Sequence, residues 1–302
     1  MTTLFECYKE FVPDFAEFQE SLQDPIPTHL RINTLKANPG KVQNRLQARG
    51  FRLIPSYRGD TTLVLAPDIA TPGNLLEYFL GYIHPQALTS CLAVLVLNPE
   101  PEAYVLDMCA APGGKTSHMA QLMDNTGLIV ANELYPSRHV AMGHTLSRLG
   151  VANCVITSYQ AQQFPLRTRF DYVLADVPCS GEGTFRRVHS RTEYRETKEK
   201  ALLPQLQKKI LVRGYQALKK GGFLLYSTCT YNPDENEEVV THLIKETNAE
   251  IWPIKLESIA IDSGLEQWRG RRYDRMLKRA ARFYPHRVNS VGFFMARIRK
   301  PE

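Results

Sequence analysis

The stretch Val105-Leu106-Asp107-Met108-Cys109-Ala110-Ala111-Pro112-Gly113-Gly114-Lys115-Thr116 constrains the fold of this chain more than any other. Apolar residues lead up to Asp107 and read as a strand, small residues make a loop, and a helical run follows from about Ser117 to Met123. Ala110, Ala111, Gly113 and Gly114 let a ligand approach bare backbone, because little or no Cβ stands in the way. N–H groups that open a helix suit an anionic or carboxylate-bearing ligand. Strand, glycine turn and helix, in that order, form a nucleotide-cofactor site at the carboxyl edge of a parallel sheet. The plainer reading, a tight strand-to-helix turn, stands equal to it until the rest of the chain is considered.

The rest of the chain alternates strands and helices from about residue 79 onward, which predicts a parallel α/β sheet. A helix over Pro85–Leu97 leads into the strand Tyr104–Asp107. Further strands are expected at Leu128–Asn132, Val155–Thr157, Phe170–Asp176 and Phe223–Thr228, with Glu250–Ile254 and Gly292–Arg299 as closing strands. Helices are expected from Pro136 to Gly150, from Lys198 to about Lys220, and from the cap Asn232-Pro233-Asp234-Glu235 onward. Residues 1–78 read as a separate small α+β unit. Its parts are a helix over Leu4–Gln19 interrupted by Pro13, a strand at Leu30–Thr34, a capped helix from Asn38-Pro39 to Gly50, and strands at Phe51–Pro55 and Thr61–Leu65. Residues 79–302 form the larger domain.

Composition excludes several classes. No apolar run approaches the roughly 20 residues of a membrane span, and Met1–Glu10 lacks the hydrophobic block of a signal peptide. The six cysteines include no Cys-x-x-Cys pair, so neither zinc nor a disulfide framework is expected, and a reducing, cytoplasmic setting fits. The net charge of +6 is concentrated between Arg269 and Lys300, where Asp274 is the only acid. A block like this reads as a solvated face. With Trp268, Tyr273, Phe283 and Tyr284 interleaved, it also suits a phosphate backbone with unstacked bases.

Polar residues stand at the expected strand ends, where open α/β sheets hold their ligands. Glu133 ends the second strand of the sheet, in the position of an acid that accepts hydrogen bonds from a ribose diol. The spacing does not separate a dinucleotide from S-adenosylmethionine, but the loop lacks the Gly-x-Gly-x-x-Gly pattern of the former. The fourth strand runs into Asp176-Val177-Pro178-Cys179-Ser180-Gly181-Glu182-Gly183-Thr184, and the fifth into Tyr226-Ser227-Thr228-Cys229-Thr230-Tyr231. One cysteine at such a place is ordinarily a small buried hydrophobe. Two at adjacent strand ends, one preceded by Asp-x-Pro, point to thiolate chemistry beside the cofactor. An aspartate there is able to hydrogen-bond the exocyclic amine and ring nitrogen of a cytosine.

These three stretches, with Arg31-Ile32-Asn33-Thr34-Leu35-Lys36 near the start and Gly292-Phe293-Phe294-Met295-Ala296-Arg297 near the end, resemble the Sun/Nop-type RNA (cytosine-5)-methyltransferases over nearly the whole chain. The resemblance implies a class I S-adenosylmethionine-dependent methyltransferase, with a Rossmann-like seven-stranded sheet whose last strand is antiparallel. A small RNA-recognition-like domain precedes it. The resemblance places S-adenosyl-L-methionine over Cys109, Ala110, Ala111, Pro112, Gly113, Gly114 and Lys115, with its ribose on Glu133. Arg138 matches an arginine of the second motif. Asp176 is implied to contact the target base and border the cofactor, Cys229 to be the nucleophile, and Cys179 to assist product release. Lys115 is expected to help lower the cysteine pKa. At the third strand end the family carries an acid for the adenine amine, and this chain offers Gln160, a neutral acceptor. The chain ends soon after the last strand, so RNA recognition is expected from the N-terminal unit and the basic segment. Arg31 and Lys36 read equally well as RNA contacts or as supports of the domain.

The expected substrate is a single-stranded or looped-out cytosine of tRNA or rRNA, methylated by a monomer without a metal. A non-catalytic RNA-binding factor would not need Asp176, Cys179 and Cys229 together. A DNA cytosine methyltransferase would use the Pro-Cys cysteine as nucleophile, and a small-molecule or protein methyltransferase has no use for the cysteine pair.

Overall fold

A computed structural model describes residues 5–187 and 198–302. The helix expected over residues 4–19 is broken around Pro13 into a 3-10 turn, Glu6–Tyr8, and a helix α1, Phe15–Ser21; Leu4 lies outside the described residues. Tyr8, Phe18 and Leu22 are buried in the core of the large sheet, beside Tyr231, Trp268 and Tyr284.

The N-terminal sheet has four antiparallel strands, β1 (His29–Ile32), β2 (Ile54–Pro55), β3 (Leu63–Leu65) and β4 (Ile83–Pro85), in the order β2-β3-β1-β4. Helix α2, Pro39–Ala48, starts where the Asn38 side chain accepts the Lys41 N–H at 3.2 Å. It buries Val42 and Leu46 against Leu30, Ile32, Val64 and Ile83. Strand β4 is absent from the sequence-based expectation, because three residues centred on a histidine carry no alternating pattern. It follows a short helix α3, Leu76–Phe79, so the sheet draws on residues on both sides of position 78. It also brings His84 and Gln86 up to the large sheet.

Helix α4, Leu88–Leu97, is apolar on nearly every side and is buried accordingly. Five parallel strands follow: β5 (Tyr104–Asp107), β6 (Leu128–Asn132), β7 (Cys154–Thr157), β8 (Phe170–Asp176) and β9 (Leu218–Thr228). They lie in the order β7-β6-β5-β8-β9. Helices α5 (Gly114–Leu122), α6 (Pro136–Arg148), α7 (Lys198–Ala217) and α8 (Glu237–Glu246) connect and follow them. The remaining strands are β10 (Glu250–Trp252), β11 (Asp262–Ser263), a small hairpin β12–β13 (Gln267–Trp268, Arg271–Arg272), β14 (Ala281–Phe283) and β15 (Phe293–Arg299). The last of these runs antiparallel to β9, from Phe294 opposite Thr228 to Arg299 opposite Phe223. Its other side is shared by β14 along the first half and β10 along the second. The α/β sheet with an antiparallel last strand is as expected, but it carries nine strands rather than seven. The surplus is the short pair β11 and β14, of which β14 lies in the basic segment.

Helix α8 also begins later than expected, at Glu237. The polar residues that read as its start are committed elsewhere. Glu235 Oε2 accepts from the Ser180 N–H and from Gln207 Nε2, each at 2.9 Å. Asn236 bonds the Thr228 hydroxyl and the Thr230 carbonyl. Both therefore pin the two cysteine-bearing loops instead of capping a helix.

Candidate active site

Strand β5 lies between β6 and β8, so the sequential order reverses there and the loops after β5, β8 and β9 open on one crevice. A cavity of about 260 Å³ fills it, walled by the glycine loop, Lys115, Asp176 and Cys229, with His84 and Gln86 opposite. In the loop, the Gly113 N–H donates to the Ala110 carbonyl at 2.8 Å, and Gly113 takes φ +94°, which glycine adopts without strain. At Gly114 a Cβ would stand 3.3 Å from His84 Nε2, so the missing side chain keeps that wall open.

On the β6 side, Glu133 Oε1 accepts the Tyr135 N–H at 3.0 Å and Oε2 accepts from Arg138 Nη1 at 3.0 Å. Arg138 Nη2 reaches the Ala111 carbonyl at 2.8 Å, so the pair holds the glycine loop from behind. Gln160 is exposed beyond β7, with its side-chain oxygen accepting from Gln162 Nε2 at 2.9 Å.

Lys115 Nζ lies 2.7 Å from Asp176 Oδ2 and 3.4 Å from Ser90 Oγ. Asp176 Oδ1 accepts the Ser227 hydroxyl at 2.7 Å, which fixes the carboxylate plane. Burial depresses the Lys115 pKa, but the charge and hydrogen bond of Asp176 outweigh it and the net shift is upward. Lys115 is therefore a fixed ammonium in the cavity wall.

The two sulfur atoms are 3.2 Å apart and unbonded, and the Cys229 N–H also points at Cys179 Sγ, at 3.3 Å. The Cys179 thiol donates to Cys229 and thereby lowers the Cys229 pKa, against burial and the Asp176 charge, with Lys115 adding to the lowering. The same hydrogen bond, with burial, pushes Cys179 well above an ordinary thiol. Lys115 therefore acts in the expected direction, but the larger cause is the neighbouring thiol. Cys229 is the thiol that gives up its proton more readily, and of the two only Cys229 lines the cavity. Cys109 lines it as well, but burial, with the charges of Asp107, Asp176 and Glu133, pushes its thiol well up and leaves it inert.

Backbone contacts hold the nucleophile loop. Gly183 donates to the Cys229 carbonyl at 2.8 Å and accepts from the Gly292 N–H at 2.9 Å. Glu182, buried, accepts from the Thr230 hydroxyl, the Tyr231 N–H and the Tyr8 hydroxyl.

Sequence reasoning missed Asp107 as a site residue. Its Oδ2 accepts from Thr116 Oγ1 at 2.8 Å, its Oδ1 has no partner, and burial lifts its pKa to about 7. Its place at a strand end was a usable signal; His84 and Gln86 gave none. The basic segment requires a correction. Trp268, Tyr273, Phe283 and Tyr284 are all buried, so none of them offers a face to an unstacked base. Arg282 is buried against Glu237, and Arg271, Lys278 and Arg287 pair with Asp234, Glu266 and Asp262. Arg31 is fully buried and supports the domain, while Lys36 is exposed and bonds the Arg148 carbonyl at 3.1 Å. Among the described residues no cluster of acidic, histidine or cysteine side chains is built to hold a metal, and no helix is long and apolar enough to cross a membrane.

The chain is 36% identical over 301 residues to a tRNA (cytosine(49)-C(5))-methyltransferase of Pyrococcus abyssi, covering 99% of this chain and 96% of that protein. It is 38% identical to a 28S rRNA (cytosine(4447)-C(5))-methyltransferase of Homo sapiens, over 95% of this chain but only 36% of the human protein. A solved methyltransferase homolog protein from Pyrococcus horikoshii superposes with a TM-score of 0.85 at 32% identity, covering 97% of this chain and 93% of that one. Residues 94–299 match the family described as 16S rRNA methyltransferase RsmB/F, and with that span and those relatives the chain belongs to this family.

Proposed function

We propose that the protein methylates carbon 5 of a cytosine in tRNA or rRNA, with Cys229 as a covalent nucleophile. The observation that carries this reading is the polarised sulfur pair: the sulfur that faces the cavity is the one whose pKa is lowered. S-adenosyl-L-methionine fits the opposite wall, where the glycine loop exposes backbone and Asp107 Oδ1 is an unpartnered acceptor. When bound, it supplies an electrophilic methyl group. We place Glu133, Arg138 and Gln160 on the cofactor side of the site as well.

Cys229 thiolate adds to carbon 6 of the base, forming a C–S bond and making carbon 5 nucleophilic. Asp176, oriented by Lys115 and Ser227, accepts a hydrogen bond from the exocyclic amine and holds the base in place, while the Lys115 ammonium offsets the negative charge that addition puts on the ring. After carbon 5 has gained its methyl group it loses a proton to the Cys179 sulfur, present as thiolate in the adduct, the C–S bond breaks, and the electron pair returns to Cys229. Cys179 assists this last stage. Bonding of Cys229 to carbon removes the thiolate that is the largest cause of the raised Cys179 pKa, so Cys179 becomes more acidic only when the adduct exists.

The cavity admits a base only when it is turned out of a helix, so the target is a looped-out or single-stranded cytosine. The unit expected over residues 1–78, completed by strand β4, serves as the RNA-recognition-like unit, and the large sheet that follows it as the catalytic domain. We place the protein in a reducing, cytoplasmic setting, where the thiols of Cys179 and Cys229 stay available. The test is trapping with an RNA that carries 5-fluorocytosine, followed by peptide mapping. The adduct is expected on Cys229, Cys229→Ala forms none, and Cys179→Ala accumulates adduct with unmodified RNA. An adduct mapped to Cys179, or full turnover by Cys229→Ala, overturns the assignment.

A further inference from the structure

A second cavity, of about 290 Å³, adjoins the first, and the two share Pro85, Gln86 and Ala87 in their walls. The glycine loop, Asp176 and Cys229 line only the first. The second is walled by Pro25, Ile26, Pro27 and Pro72 together with Arg186. It therefore extends the site beyond the Pro85–Ala87 wall, away from Asp176 and Cys229.

Two donors in this wall have no acceptor among the described residues. Gln86 Nε2 and Arg186 Nη1 are both unpartnered, on side chains that are each only 8% exposed. Their directions are set by neighbours. Arg31 Nε donates to Gln86 Oε1 at 3.1 Å, and Arg31 is itself fixed through Gln121 and through Ser117 Oγ at 2.8 Å. A guanidinium only donates, so the Gln86 amide keeps its oxygen toward Arg31 and turns its NH₂ away. Arg186 Nε and Nη2 are tied to the carbonyls of Asp24 and Pro25 at 3.0 and 2.9 Å. Those acceptors are neutral carbonyls that hold the guanidinium in place, while the Asp24 carboxylate nearby favours its charged form.

A buried cation with an open N–H and a buried amide with another, walling one cavity, make a donor set for an anionic oxygen. Proline rings and Ile26 add apolar faces that suit a flat ring. A flat ring joined to an anion, next to a site that holds one base, is the neighbouring nucleotide of the same strand. We propose that the second cavity holds the nucleotide adjoining the target cytosine, whose phosphate accepts from Arg186 Nη1 and Gln86 Nε2. This rests on the RNA reading above.

The test uses the whole protein and a nine-nucleotide oligouridylate with a single central 5-fluorocytidine, which fixes the register through the adduct on Cys229. The readout is the RNA concentration giving half-maximal adduct formation. A neutral methylphosphonate is placed at each linkage flanking the 5-fluorocytidine in turn. In the unaltered protein, one of the two substitutions is expected to raise that concentration about tenfold, as for loss of one charge-assisted hydrogen bond. Arg186→Gln raises it by a similar factor with the all-phosphate RNA and erases the methylphosphonate effect. Gln86→Leu reduces that effect without erasing it. If Arg186→Gln weakens both RNAs equally, Arg186 acts only by holding residues 24 and 25, and the proposal falls. It also falls if neither flanking methylphosphonate matters. Failure of the unaltered protein to form any adduct would instead overturn the functional reading on which the proposal rests.

Discussion

Replacing Arg282 with methionine separates a buried structural charge from a nucleic-acid contact. Arg282 is 1% exposed; its Nε lies 2.7 Å from Glu237 Oε1, its Nη2 also bonds Glu237, and its Nη1 bonds the Tyr231 carbonyl at 2.9 Å. The flat guanidinium lies over the rings of Phe11 and Phe294. Arg282→Met leaves Glu237 a buried carboxylate with only the Leu265 N–H for company, at 3.0 Å. Breaking one side of such a pair costs about 3–5 kcal/mol. At about 2 °C per kcal/mol for a chain of this size, the melting temperature is expected to fall by roughly 6–10 °C. The double variant Arg282→Met/Glu237→Leu is expected to recover most of the loss, because replacing both charges with hydrocarbon removes the desolvation penalty. Thermal unfolding followed by circular dichroism measures this, and RNA binding below the transition is expected to be unchanged in both variants. A fall of less than about 2 °C in Arg282→Met, together with a marked loss of RNA affinity, would refute the reasoning and return Arg282 to the RNA-facing surface.

Three further outcomes follow from the site. Iodoacetamide alkylation of Cys229, resolved by peptide mapping, is expected to inflect at a lower pH than an ordinary thiol, and Cys179→Ala is expected to move the inflection upward by removing the donating S–H. Gly183→Ala puts a Cβ 2.1 Å from the Gly292 carbonyl oxygen and shifts the N–H that holds the Cys229 carbonyl. A displacement of that kind is expected to lower kcat about a hundredfold, and near-normal turnover would show that the loop accommodates it. Asp107 has its folded pKa raised to about 7 by burial, so its contribution to stability is greatest below about pH 4 and is lost as pH rises through about 7. Asp107→Asn lacks that loss, and urea titrations are expected to show the variant gaining on the unaltered protein across this window and holding a constant difference above it.

The glycine loop, the strand ends at Asp107, Glu133 and Asp176, and both cysteines were legible because each sits where a hydrophobic run meets small or polar residues. Local pattern is enough to place such a boundary. His84 and Gln86 were not legible. Strand β4 exists only because β1 offers it an edge, and its register sets which residues reach the cavity. The stacking part of the basic-segment reading failed for a related reason, although Arg269, Arg272 and Arg275 are exposed as a solvated face requires. A run of arginines and aromatics has the same composition whether the rings are exposed or buried, and only the partners Glu237, Asp234 and Asp262, distant in sequence, decide the matter. Asn232 to Glu235 satisfied every rule for starting a helix, yet long-range bonds to Ser180 and Gln207 took Glu235 for the cysteine loops.

The placement of the first described residues has a consequence for the order of events during synthesis. Phe18 packs edge-on against Tyr231 and Tyr284, and Tyr8 lies beside Trp268, so these residues find their seats among others that emerge from the ribosome long after them. Tyr8 also bonds Glu182, in the loop that carries Cys179. Until β15 has slid in beside β9, that aromatic nest has no floor, and closing a loop of such length is slow. A chain that has emerged only as far as the second cysteine thus holds both sulfurs on an unfinished sheet, and the loops that carry them are set only after β15 has joined.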